Sequence, residues 1–181
     1  KDYFQFRLVK THVLLKKNLN ASLKYADALI QLEPQNPYFL ELKAQTLFES
    51  GKIKEAIDAY KQTLALKPQS DLFKLSYAEA VLAGEPTRRD MEALIPLLEH
   101  VNRNQGFPEA YRYLGQVYAN MGQEAVADYF AAEYNSAIGE TGLARKMVEK
   151  ALKMPLRSDI KLRAEDLREK LKQENRKTSL F

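Results

Sequence analysis

The sequence predicts an all-α chain: a solenoid of helical hairpins, an α-α superhelix, with about ten helices. Three observations predict it. A block of residues recurs at a spacing of 34. Apolar residues fall at helical steps of three and four. No stretch sustains the apolar–polar alternation and β-branched content of a strand.

The recurrence is read directly from the residues. Leu32-Glu33-Pro34-Gln35-Asn36-Pro37-Tyr38-Phe39 is similar to Leu66-Lys67-Pro68-Gln69-Ser70-Asp71-Leu72-Phe73, at an offset of 34. Two helices and two turns fit that period. Pro37 next aligns with Pro108 at an offset of 71, two periods plus three. The surplus falls in Gly84-Glu85-Pro86-Thr87-Arg88-Arg89, a loop by its glycine, proline and charge.

Helices are expected at about 2–17, 19–32, 37–50, 53–66, 70–83, 89–103, 108–121, 123–138, 140–153 and 157–175. Asn36 before Pro37, and Ser70 with Asp71, have the chemistry of helix N-caps, and proline fits a first turn that needs no N–H donor. Ile53, Ala56, Ile57, Tyr60 and Leu64 form one apolar stripe. Gly51, Gly84 and Gly122 stand where helices should stop in a left-handed cap. Pro96 should kink the helix over 89–103. The helix between Gly122 and Gly139 carries Ala125, Val126, Ala127, Tyr129, Phe130, Ala131, Ala132, Tyr134 and Ala137, apolar nearly all round, so it should be buried on several sides. Leu143, Ala144, Met147, Val148, Ala151 and Leu152 make the next stripe, and Ile160, Ala164, Leu167 and Leu171 the last. The expected organisation is a solenoid over 1–175, with units at about 3–36, 37–70, 71–107, 108–138 and 123–156. The last two share a helix, a capping helix follows at 157–175, and 176–181 is a frayed tail.

Composition removes several function classes. With 181 residues, 45% apolar and 29% charged, the chain can bury a substantial core and is not a disordered segment. Its apolar runs, such as Ala80-Val81-Leu82-Ala83, fall far short of the roughly 20 residues that span a bilayer. Without cysteine there is no disulfide, thiolate metal site or thiol catalysis. A net charge of +4 with interspersed acidic residues lacks the concentrated basic stripe of a nucleic-acid binder. Beginning at Lys1 without methionine or signal peptide, the chain reads as a fragment or processed form. His12 and His100 read as packing or surface histidines, and Glu92, Glu99, Glu165 and Glu169 as solvated helix faces. No catalytic, metal or cofactor-binding residue is expected. The basic tail Lys170-Leu171-Lys172-Gln173-Glu174-Asn175-Arg176-Lys177 reads as the polar face of a cap, and membrane contact is not expected of it.

Tyr111-x-x-Leu114-Gly115-x-x-Tyr118, followed by Gly122, resembles the W-x-x-L-G-x-x-Y opening of a tetratricopeptide (TPR) unit. Gly115, Ala44 and Ala78 take the small position that lets two helices approach, and most of the 18 Tyr and Phe residues should fill the layers between helices. The segment Gly51 to Tyr60 resembles the second half of a unit, with Ala56 as its small contact. Departures are Lys43 where the signature has leucine, Lys10 at the first unit's small position, and Gln105 in place of a terminal proline. Stacked units present an extended concave surface lined by their first helices. By helical phase the groove for protein or peptide segments should include Arg7, Thr11, Glu41, Gln45, Phe48, Glu49, Glu79, Leu82, Arg112, Gln116 and Asn120. Glu41, Glu49 and Glu79 would repel the terminal carboxylate that some TPR clamps hold.

A narrower likeness runs over roughly residues 20 to 170. Asn36 to Gln45, Leu47 to Gly51, Ala132-Glu133-Tyr134 with Gly139, and Leu162 to Leu167 are similar to the C-terminal repeats of bacterial periplasmic zinc metalloproteases of the BepA type. The resemblance implies a periplasmic, non-catalytic domain that packs on its own upstream HExxH protease domain and serves outer-membrane protein assembly or quality control. No HExxH occurs here, so no zinc ligand carries over. The alternative expectation is a freestanding cytoplasmic adaptor that binds peptide segments of a partner.

Overall fold

The computed structural model describes residues 19–103 and 107–178. The expected first helix, with Arg7, Lys10, Thr11 and His12, lies outside them, as does Gln105. Nine helices and no strand make up the described residues. They are α1 (Leu19–Leu32), α2 (Pro37–Glu49), α3 (Ile53–Leu66), α4 (Asp71–Ala83), α5 (Arg88–Arg103), α6 (Pro108–Asn120), α7 (Glu124–Ala137), α8 (Thr141–Leu152) and α9 (Ser158–Thr178).

The turns are of two kinds, and each follows from local sequence. After α2, α6 and α7 the chain turns through Gly51, Gly122 and Gly139 at φ of 74°, 73° and 84°. The following N–H reaches back in each case: Lys52 to the Leu47 carbonyl at 2.9 Å, Gln123 to Tyr118 at 2.9 Å and Glu140 to Asn135 at 2.8 Å. That is the Schellman closure, which satisfies the last carbonyls of a helix and folds the chain sharply back. Before α2 and α4 the turns are capped by side chains. The Asn36 Oδ1 accepts from the Tyr38 N–H at 3.0 Å, and the Ser70 Oγ from the Phe73 N–H at 3.5 Å.

Gly84 departs from expectation. Its φ is −81° and ψ −155°, so it is no left-handed cap. A side chain there would stand 3.3 Å from the Ile53 Cγ2, so crowding against the start of α3 is what favours glycine. Beyond it Thr87 and Asp90 cap α5 reciprocally: the Asp90 carboxylate accepts from the Thr87 N–H at 2.9 Å, and the Thr87 Oγ1 accepts from the Asp90 N–H at 3.2 Å. The helix therefore starts at Arg88, and Pro96 lies within it without ending it. A second correction concerns the chain end. Residues 176–178, expected in the frayed tail, continue α9 to Thr178.

The chain divides into two compact units, Lys1–Pro86 and Thr87–Phe181, and the seam lies in the loop that the spacing marks as an insertion. In the first, α3 packs against both α2 and α4, and α2 also packs against α1 and touches α4. Ala44, Ala56, Ala59 and Ala80 let these backbones close around Leu47 and Tyr60. In the second unit α7 packs against α6, α8 and α9. Tyr129, Phe130 and Ala132 are fully buried there, which explains why α7 is apolar around most of its circumference. No described helix is long and apolar enough to cross a membrane.

Candidate functional site

In the first unit, Glu41, Gln45, Phe48 and Glu49 share one face of α2, because steps of four, three and one follow the helical turn. All four are half-buried, and Phe48 packs on the alanine-rich core cluster. Glu79 is exposed on α4. The charges of these carboxylates act on Tyr60 of α3, which its place in an apolar stripe assigns to packing. It is 3% exposed. Burial pushes the phenol well above its ordinary pKa, and the negative charges of Glu41, Glu79 and Glu49 push it further the same way. Three glutamates from two helices thus act electrostatically on one buried phenol.

Leu82 does not belong to that face. It is 7% exposed, buried with Phe73, Leu75, Ala78, Ala80 and Val81. Helix α4 is buried over most of its circumference, so phase alone picked the wrong flank. Lys74 was also missed: it is 6% exposed and its ammonium holds the Asp71 carboxylate at 3.0 Å.

In the second unit Arg112, Gln116 and Asn120 are exposed in line along α6. The Arg112 guanidinium lies 4.5 Å from the centroid of the Tyr113 ring. The same unit holds an aromatic cluster in its core. Phe130 stacks on Tyr118 at 5.4 Å and 4° and tilts against Tyr129 at 5.0 Å. Arg163 of α9 reaches over both rings of α7, 5.3 Å from Tyr129 and 5.7 Å from Phe130. The Tyr129 hydroxyl donates to the Glu133 carboxylate. Burial first, and then the Glu133 charge, raise the pKa of both Tyr129 and Tyr111. His100 of α5 faces the Arg103 guanidinium at 3.5 Å, and among the described residues no three His, Asp or Glu side chains gather as a metal site.

Comparison with protein-family models finds no match, and comparison with curated proteins finds none either. Comparison with solved structures does. MamA protein aligns over 99% of this chain and 94% of its own, at 17% identity and a TM-score of 0.69. The fold is that of a TPR array. TTC0263, a thermophilic TPR protein of Thermus thermophilus, aligns over 92% of this chain and 98% of its own (20% identity, TM-score 0.58). YrrB, described as a TPR protein with an unusual peptide-binding site, aligns over 90% of both chains (17% identity, TM-score 0.57). At these identities the likeness is one of TPR architecture, the layering of helix pairs.

Proposed function

We propose that this chain is a non-catalytic interaction scaffold, and that the face of α2 and α4 takes up polypeptide segments carrying lysine or arginine. One observation carries the reading: α2 and α4 bring the carboxylates of Glu41, Glu49 and Glu79 near enough to the buried Tyr60 for their charges to raise its pKa. A cationic segment is attracted there, and a free C-terminal carboxylate is repelled. The peptide-binding site described for YrrB supports the same kind of use. Fluorescence anisotropy with a labelled Lys- and Arg-containing peptide tests it. Reversing Glu41→Lys together with Glu79→Lys should weaken capture about tenfold or more while circular dichroism stays unchanged. Equal affinity in the double variant overturns the assignment of this face. The row Arg112, Gln116 and Asn120 belongs to the second unit, and Arg112→Glu tests it separately.

The finer reading is that the chain forms the C-terminal TPR region of a periplasmic zinc metalloprotease of the BepA type, with its own protease domain as one partner and outer-membrane protein assembly or quality control as its setting. The residue likeness over 20–170 supports this. The alternative reading is a freestanding cytoplasmic adaptor that binds peptide segments of a partner. The complete reading frame separates the two. An upstream signal peptide with HExxH favours the protease, whereas a start codon immediately before Lys1 overturns it.

A further inference from the structure

Helix α8 packs against α7 and α9 and leaves its outer flank to solvent. That flank carries Arg145, Lys146, Glu149, Lys150 and Lys153, which line an open trough of about 420 Å³. Lys146, Lys150 and Lys153 follow the helical turn at steps of four and three, so they stand in a row about 10 Å long. Lys150 is held by the Asp128 carboxylate of α7 at 2.8 Å. Lys146 and Lys153 form no ion pair among the described residues. Leu143, 42% exposed, lies in the first turn of the same helix, and Ile138, 47% exposed, closes α7 just before it. Two exposed aliphatic side chains beside a row of cations is an amphipathic surface.

We propose that this flank docks an acidic amphipathic helix from a partner protein. The carboxylates of that helix, spaced one turn apart, meet Lys146, Lys150 and Lys153, and its apolar side chains cover Ile138 and Leu143. The lysine stems supply the trough's apolar walls while their ammonium groups stay at its rim. Geometry favours a helix over a lipid surface. Glu149 stands exposed inside the cationic row, so a uniformly anionic plane would meet a carboxylate of its own sign. A partner helix places its charges selectively and avoids it. This surface is opposite in sign to the α2–α4 face and stands or falls independently of it.

The test uses the full chain and a labelled synthetic helical peptide with glutamates at i, i+4 and i+7 flanked by leucines. Saturable binding is expected. It should weaken about tenfold or more in the Lys146→Glu/Lys153→Glu variant and with the glutamine version of the peptide. Leu143→Ser should weaken it as well. All three positions are exposed, and circular dichroism checks that the variants stay folded. No saturable binding, or binding indifferent to the charge reversal or to Leu143→Ser, overturns the proposal. So does co-sedimentation with phosphatidylcholine vesicles carrying one third phosphatidylserine, if the reversal abolishes it while the peptide remains unbound.

Discussion

A methyl group added at Gly115 would lie 3.5 Å from the Ala127 carbonyl oxygen and 3.8 Å from the Phe130 Cβ. Those are ordinary contacts, and Ala44 and Ala78 already occupy the matching positions fully buried. Gly115→Ala should therefore raise the midpoint of chemical denaturation, by up to about 1 kcal/mol from helix propensity, whereas Gly115→Leu should lower it sharply through overpacking. Titration gives a second expectation. Tyr60 and Tyr129 are held above their ordinary value of 10.0 in the fold. Between that value and the raised one the native state keeps protons that the unfolded chain has lost, so stability is intact below about pH 10 and falls as the pH rises above it. Melting temperatures from pH 8 to 11 should show the decline, and Tyr60→Phe with Tyr129→Phe should flatten it. The small positions were legible because a repeat imposes them on the sequence. The electrostatic setting of Tyr60 was not, since a phenol at a core step reads as packing and the sequence does not show that the charges of two other helices act on it.

Element limits follow from caps, and most were legible for that reason. Asn36 and Ser70 show their donors and acceptors in the sequence itself, and replacing Asn36 by alanine should cost about 1 kcal/mol, read as a lower denaturation midpoint. The Thr87-x-x-Asp90 box escaped notice because it sits inside a loop defined by Gly84 and Pro86, although its spacing is a recognised capping signal. Leu82 was misplaced for a different reason. A helix buried over most of its circumference offers no contrast from which phase can select one outer face. Helix α7 has the same low contrast, yet there the absence of a polar face was itself the signal: such a helix needs neighbours on several sides, and it packs against α6, α8 and α9.

For the molecule as a whole, the 34-residue period made the helical array visible, and the three surplus residues fall at the seam between the two compact units. Phe130, fully buried in the second unit, gives the measurement at this scale. Phe130→Ala should cost about 3–5 kcal/mol where it acts. Hydrogen exchange should then speed up across α6 to α9 and stay unchanged across α2 to α4. Uniform loss of protection along the chain would mean that the two units open together. The periodicity could not reveal the acidic face of the first unit or the cationic flank of the second, because both depend on side chains that the repeat leaves free to vary.

Helix α7 is entered and left through the same glycine-closed hairpin turn, at Gly122 and at Gly139. Repeat proteins lengthen when a hairpin is copied in tandem, and a copy can be spliced in only where one helix pair ends before another begins. A cut at Gly139 is such a junction, since it leaves α6 packed with α7 and α8 packed with α9. Lineages carrying this chain should therefore gain or lose whole helix pairs at Gly139 and keep each pair at constant length.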